Sequence, residues 1–388
     1  MLTLIRDIPT YAPEPLGVVD ILLAGGLIAH VGRLGPVNLP GLREVDGRGL
    51  VAVPGFIDAH VHILGGGGEG GCATRTPELM LGEALRAGVT TLVGCLGTDG
   101  VSRTPASLLA KAKGLEEEGL TTYAYTGSYG LPLVTATGSV ERDLLLVDRV
   151  IGVGEVALSD HRSSQPTLEA LAALAGEARR GGLLSGKAGV VNLHLGDGPR
   201  GLEPLRRLVA ETELPPSQFL PTHINRNPAL LEEAVAYAAL GGWLDLTTSG
   251  PDPASGCPQV GAAEAHARLR AAGVDPGRIT FTSDGQGSLP EFDAQGRMTG
   301  LGVGRMRSLF DAFRDLVRAG TPLAEALLPV TANPAAILRL RGKGRLRAGM
   351  DADLLLLGGG DLEVHSLVAR GRLLVEDGVL KAKGTFES

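Results

Sequence analysis

The sequence predicts an α/β protein, a (β/α)8 TIM barrel carrying a small β-sandwich formed from both termini. Three observations predict it. Through the middle of the 388-residue chain, eight short apolar runs alternate with stretches of helical period, which is the count of a closed parallel barrel. The two ends resemble each other and not the middle, each being built of apolar runs hinged at glycine. Glycine is abundant (58) and aromatic residues are scarce (3%), as a scaffold with many tight strand-to-helix turns requires.

At the amino end, VDILLAGGLIAHVGRL (19–34) reads as two strands hinged at Gly25-Gly26, followed by LREVDGRGLVAVPG. At the carboxyl end, DADLLLLGGG (351–360) and VHSLVARGRLLVEDG (364–378) repeat that hairpin habit. Each half alone has too few strands to be stable, so one sandwich from 1–53 and 344–388 is more economical than two separate caps. The barrel then occupies 54–343, with strands expected at 56–60, 90–95, 121–125, 150–158, 190–194, 219–222, 243–247 and 279–282. Helical periods fall between them at 77–87, 105–118, 140–148, 168–180, 202–211, 228–240 and 260–272, with two more, 306–319 and 322–338, after the last strand. Several open on proline and close on glycine, as helix ends prefer. A doubly wound open sheet is the alternative architecture.

A net charge of −7 without a basic stripe disfavours nucleic acid or an anionic membrane as partner. Three cysteines (Cys72, Cys95, Cys257) without a CxxC pair read as buried reduced thiols. The amino end lacks a signal-peptide pattern, and no run of about 18 apolar residues spans a membrane. A soluble cytoplasmic protein is the expectation.

The chemistry concentrates at strand ends. His60 and His62 in GFIDAHVH, His194 in VVNLHLGDG and His223 in FLPTHINRN all end predicted strands, and Asp284 ends another in ITFTSDGQGS. Carboxyl ends of barrel strands converge on one face, and histidines at i and i+2 of an extended segment share a side. Neutral imidazoles plus a carboxylate in an open site point to zinc. His30, His266 and His365 lack this placement and read as structural; His161 lacks it too. Glu155 sits inside the apolar strand VIGVGEVAL, where an unpaired buried carboxylate would cost several kcal/mol. Bridging two cations would satisfy both its oxygens; the alternative is that the strand ends early and Glu155 faces water.

These residues make the chain resemble the amidohydrolase superfamily. The signals are PGFIDAHVH (54–62), the single histidines after two later strands, SDG (283–285), and the terminal DILLAGGLIAHVG and GMDADLLLL. Within it the chain looks like the isoaspartyl (β-aspartyl) dipeptidases, through GGGGEGG (65–71), TRTPE (74–78), LGTDGVSR (96–103), SDHRSS (159–164), THINRN (222–227), SDGQGS (283–288) and KGTFE (383–387). One position departs. Where that family carries a carboxylated lysine as metal bridge, alignment on SDHR places Glu155. Both groups present one negative carboxylate, but Glu is shorter, and the additional Gly154 offers room for the adjustment.

The resemblance implies two Zn²⁺ per subunit, with Co²⁺ or Mn²⁺ as substitutes. His60, His62 and Asp284 would hold one ion, His194 and His223 the other, and Glu155 would bridge them. The implied reaction is attack of a dinuclear-metal-activated hydroxide on the β-aspartyl amide, with Asp284 as proton shuttle and the Tyr129 hydroxyl polarising the carbonyl. Tyr129 lies in GSYGLPLVTATGS (127–139), a candidate loop to close over substrate. For the dipeptide's charges, Glu69 suits the ammonium and Arg162 and Arg226 the carboxylates, with Ser288, Thr98 and the Gly67 backbone as hydrogen-bonding neighbours. Arg162 can alternatively be a surface ion pair and Glu69 a solvated loop charge. A small dipeptide is thus the expected partner and a homo-oligomer the expected assembly. Two other readings stand beside this one, a hydantoinase- or dihydroorotase-like hydrolase and a metal-free, non-catalytic homologue.

Overall fold

The computed structural model describes residues 2–250, 259–292 and 298–387; Cys257 lies outside them. Five strands open the chain: β1 (Leu2–Tyr11), β2 (Pro15–Ala24), β3 (Leu27–Gly32), β4 (Leu42–Asp46) and β5 (Leu50–Pro54). The barrel strands are β6 (Phe56–Val61), β7 (Val89–Gly94), β8 (Thr121–Thr126), β9 (Val150–Leu158), β10 (Val190–Leu195), β11 (Phe219–Thr222), β12 (Leu244–Thr247) and β13 (Ile279–Thr282). Helices α1 (Leu81–Arg86), α2 (Pro105–Glu118), α3 (Val140–Leu146), α4 (Leu168–Ser185), α5 (Glu203–Glu211), α6 (Pro228–Ala239) and α7 (Ala262–Ala271) alternate with them. A hairpin, β14 (Ser288–Phe292) and β15 (Met298–Val303), follows, then α8 (Arg307–Arg318), α9 (Leu323–Ala326) and α10 (Ala332–Ile337). Four strands close the chain: β16 (Leu354–Gly358), β17 (Val364–Ala369), β18 (Arg372–Glu376) and β19 (Val379–Leu380).

Every residue of β6, β7, β9 and β10 is buried, because helices cover the outer face and packed side chains fill the inner one. β6 to β11 form one six-stranded parallel sheet and β12 pairs with β13. Two seams join these pieces. Ile224 N–H donates to Asp245 O at 3.2 Å and His62 N–H to Gly285 O at 2.9 Å. The ring closes, which excludes the open doubly wound sheet. Helix starts follow local chemistry: Thr104 caps α2 and Asn227 caps α6, each before a proline at the first helical position.

Both termini join one nine-stranded sheet in the order β19-β18-β17-β16-β5-β1-β2-β3, with β4 on β1, and β5 pairs antiparallel to β16. The sheet curls over its own core of Ile5, Ile8, Ile21, Ile28, Leu354 and Val368. The β2–β3 and β17–β18 turns meet at Gly26 and Gly371, both at positive φ, where a Cβ on Gly371 would lie 2.8 Å from Gly26 Cα. β1 has no counterpart among the strands expected from sequence; Arg6, Asp7 and Pro9 interrupt its apolar pattern. Buried Lys343 ties sheet to barrel through Asp353 and, at 2.7 Å, Thr121 Oγ1 of β8.

Three expectations need correction. The helix expected over 77–87 starts only at Leu81. The preceding segment is bound to the glycine-rich loop instead, Thr76 N–H donating to Gly66 O and Leu79 N–H to Ile63 O. The helix expected over 322–338 is three short pieces, since Pro329 has no N–H to donate and Thr331 leaves helical geometry at φ −135°, ψ −85°. Cys72 is exposed in a single turn of that glycine-rich loop, whereas Cys95 is buried. Among the described residues no helix is long and apolar enough to cross a membrane.

Candidate metal centre

The site is built by strand ends and one irregularity. His60 lies on β6 with His62 just beyond it, and His194 lies on β10. His223 and Asp284 follow β11 and β13 at positive φ (63° and 51°), a strained backbone that turns each side chain off the strand line. Between β9 and β10 the pairing passes from Val153–Val191 to Val156–Leu193. Gly154 and Glu155 therefore both stand opposite Asn192, a β-bulge of the kind that re-aims a side chain beside a site. Gly154, at φ 152°, must lack a side chain, because a Cβ there would sit 2.9 Å from Asn192 Cβ. Glu155 is 1% exposed, so the alternative in which it faces water is excluded.

Glu155 is the hub. Its Oε1 is 3.3 Å from His62 Nε2, and its Oε2 is 3.0 Å from His194 Nδ1, 3.5 Å from His60 Nε2 and 3.8 Å from His223 Nε2. Asp284 Oδ1 lies 3.1 Å from His62 Nε2 and 3.5 Å from His60 Nε2. The ligating atoms fall into two groups that share Glu155: His60, His62, Cys95 and Glu155, and Glu155, His194 and His223. His60 Nε2, Glu155 Oε1 and Asp284 Oδ1 are buried without a hydrogen-bond partner. An unsatisfied buried polar atom costs about 1–3 kcal/mol, and three converging ones are what a metal cation would satisfy, for which imidazoles and carboxylates are fitting donors. The residues fit a metal centre.

The electrostatics draw positive charge into the cluster: burial opposes a charge on His60 and His62, yet Cys95 and Glu155, joined at His62 by Asp284, raise both imidazoles well above their ordinary range, and a bound cation would take the place of that charge. Burial opposes a charge on Glu155, yet the imidazoles of His60 and His194 and hydrogen bonds from His194 and His223 outweigh it and hold the carboxyl well below its ordinary range. Burial, then the neighbouring His194, pushes His223 down to about 3, leaving the neutral form that binds metals. Outer partners orient the rings. His60 Nδ1 is 3.0 Å from Asn192 Oδ1, His223 Nδ1 is 2.6 Å from Thr247 Oγ1, and His194 Nε2 is 3.1 Å from Asp160 Oδ2. Removing such a partner typically costs about 10–100-fold in metal affinity. Asn192→Ala is therefore expected to weaken metal binding by about that factor in a chelator competition, and unchanged affinity would show that Asn192 does not orient His60.

The remaining residues singled out from sequence gather around this cluster. Tyr129 is buried (6%), held by Gly97 O and Ala157 N–H, with its hydroxyl 2.9 Å from His194 Nδ1. Arg162 forks onto Asp160 at 2.7 and 3.0 Å and reaches Glu69 at 3.1 Å, and Thr98 Oγ1 donates to Glu69 at 2.6 Å. Arg162 and Glu69 thus pair with each other. Arg226 lies beside His194, with its Nε buried and unpartnered. Gly67 packs on Ser288, whose Cβ would be 3.2 Å from a Cβ on Gly67. Of the other histidines, His161 is exposed, His266 packs edge-on to Phe281 and His365 pairs with Asp377. Sequence reasoning did not place Cys95, Asp160, Asn192 and Thr247 in the site. Cys95 carried a signal, since it ends a predicted strand beside the one bearing His60 and His62.

Comparison with known proteins follows the same lines. The profile of the Amidohydrolase family matches residues 225–374. A crystal structure of Beta-aspartyl dipeptidase from Fervidobacterium islandicum AW-1, in complex with beta-Asp-Leu dipeptide, superposes with TM-score 0.93 and 45% identity over 98% of each chain. A second structure of that dipeptidase gives TM-score 0.90 and 42% identity, covering 98% of this chain and 99% of its own. An imidazolonepropionase of Stenotrophomonas maltophilia (strain R551-3) is 32% identical over 152 residues, 36% of this chain and 35% of that protein. This chain therefore spans about a third of that relative's length.

Proposed function

This chain belongs to the β-aspartyl dipeptidase family of the amidohydrolase superfamily, and we propose that it hydrolyses the isopeptide bond of isoaspartyl dipeptides. The observation that carries the reading is 45% identity over 98% of the chain to a dipeptidase whose structure holds beta-Asp-Leu. His60, His62 and Asp284 would hold one ion and His194 and His223 the other, with Glu155 between them. Two zinc ions, when bound, supply Lewis acidity and a nucleophilic water at neutral pH. Asp284, whose carboxylate lies beside His60 and His62, accepts the water proton and passes it to the leaving amine. The Tyr129 hydroxyl donates to the carbonyl oxygen as negative charge develops there.

Glu69 takes the substrate ammonium, and Arg162 and Arg226 take its two carboxylates. An isoaspartyl residue carries ammonium and carboxylate on one carbon, so it exchanges the Glu69–Arg162 ion pair for two pairs of its own. Thr98 steadies Glu69, and Ser288 and the Gly67 backbone complete the contacts. In this reading 54–343 is the catalytic unit, 1–53 and 344–388 form one β unit, and the protein is a cytoplasmic homo-oligomer. Zinc-reconstituted protein is expected to cleave β-Asp-Leu and leave α-linked Asp-Leu intact in an amine-release assay. Equal rates on the two dipeptides would sink the substrate assignment.

A further inference from the structure

We propose that Cys95 is a protein ligand of the ion held by His60 and His62, closing that site with sulfur and leaving the open position to the site of Glu155, His194 and His223. The inference deepens the dipeptidase reading and rests on it for the existence of the metal centre. Cys95 follows β7 directly, next to β6 in the ring, and is fully buried (0% exposed). Its Sγ lies 3.8 Å from the His62 ring and 3.6 Å from Val61 O. The ligating atoms of His60, His62, Cys95 and Glu155 all lie within 4.8 Å of one another.

A buried cysteine alone is ordinary core packing. Here two atoms of the same group, His60 Nε2 and Glu155 Oε1, are buried with no hydrogen-bond partner, so the cluster around the sulfur is one that a cation completes. The two ligand groups also differ in kind. The first has four protein donors, two nitrogens, one sulfur and one oxygen; the second has three. Sites saturated by protein ligands hold an ion for structural reasons, whereas those with three keep a place for water or substrate. Sulfur in the first set further favours zinc over harder ions such as manganese.

The expected consequence is one tightly and one loosely held ion. Dialysis of zinc-loaded protein against a moderate chelator should leave one equivalent in the wild type and markedly less in Cys95→Ser. Cobalt(II)-loaded wild type should show a near-ultraviolet sulfur-to-cobalt charge-transfer band that Cys95→Ser and Cys95→Ala both lack, while Cys72 and Cys257 are still present. A cobalt-loaded wild type without the band, or a band that survives in both variants, overturns the proposal and leaves the metal centre standing. Failure of the wild type to bind cobalt or zinc at all overturns both readings together. The wild-type spectrum decides even where a variant fails to fold, and circular dichroism identifies that case.

Discussion

Glu155→Ala is expected to fold but to lose both bound metal and dipeptidase activity. Glu155 lies within 3.8 Å of all four clustered imidazoles, and both candidate metal-ligand groups include it. Its removal takes away the anion between His60, His194 and His223 and leaves the rings facing each other without a shared partner. The loss of affinity should exceed the roughly 10–100-fold that an outer partner costs. Metal analysis after gel filtration, together with β-Asp-Leu hydrolysis, measures it, and full metal content with normal turnover would remove Glu155 from the centre. Glu155→Gln separates charge from shape. It fills the same space in the bulge and keeps one acceptor oxygen, so retention of metal in that variant would make the carboxylate's charge dispensable.

Asp284→Asn is expected to keep the fold and to lose turnover by about 10²–10⁴-fold, the usual contribution of a positioned proton-transfer group. Burial opposes its charge, but the close approach of His62, then His223 and His60, brings the carboxyl down to about 2. It is therefore an ionised acceptor throughout the neutral range. The amide is nearly isosteric and cannot accept a proton there. The loss should fall on kcat with KM for β-Asp-Leu little changed, since Glu69, Arg162 and Arg226 carry the binding contacts. Steady-state kinetics at matched metal content reads this split, and near-normal kcat would eliminate Asp284 as the proton carrier.

The site was legible in the sequence to the extent that strand ends were. His60, His62, His194, His223 and Asp284 stand out because apolar strands are recognised locally and barrel strands all run toward one face. Glu155 stands out because a carboxylate inside VIGVGEVAL violates its surroundings. Gly154 hinted at an extra residue, and the bulge opposite Asn192 gives that hint its geometry. Asp160 and Asn192 were not legible as ring-orienting partners, because nothing in SDHR or VVNLH tells which histidine each will meet. The helix boundary at 77–87 failed for a related reason, since the preceding loop takes the N–H groups of Thr76 and Leu79 and a helical period cannot register that competition; the break over 322–338, by contrast, follows from Pro329 and was open to a local reading.

By itself, the sequence determined the alternation of strands and helices, the chemistry of the ligands and the negative charge at position 155. These follow from side-chain type and short-range spacing, which are properties of neighbouring residues along the chain. Tertiary structure alone decided which contacts seal the expected ring at β6 and β13, that β5 and β16 are the strands through which the two ends of the chain knit, and that Cys95 lies buried beside His60, His62 and Glu155 while Cys72 stays exposed. Each of these depends on which distant segments become neighbours, and that is set by global packing and long-range hydrogen bonds that no local pattern encodes.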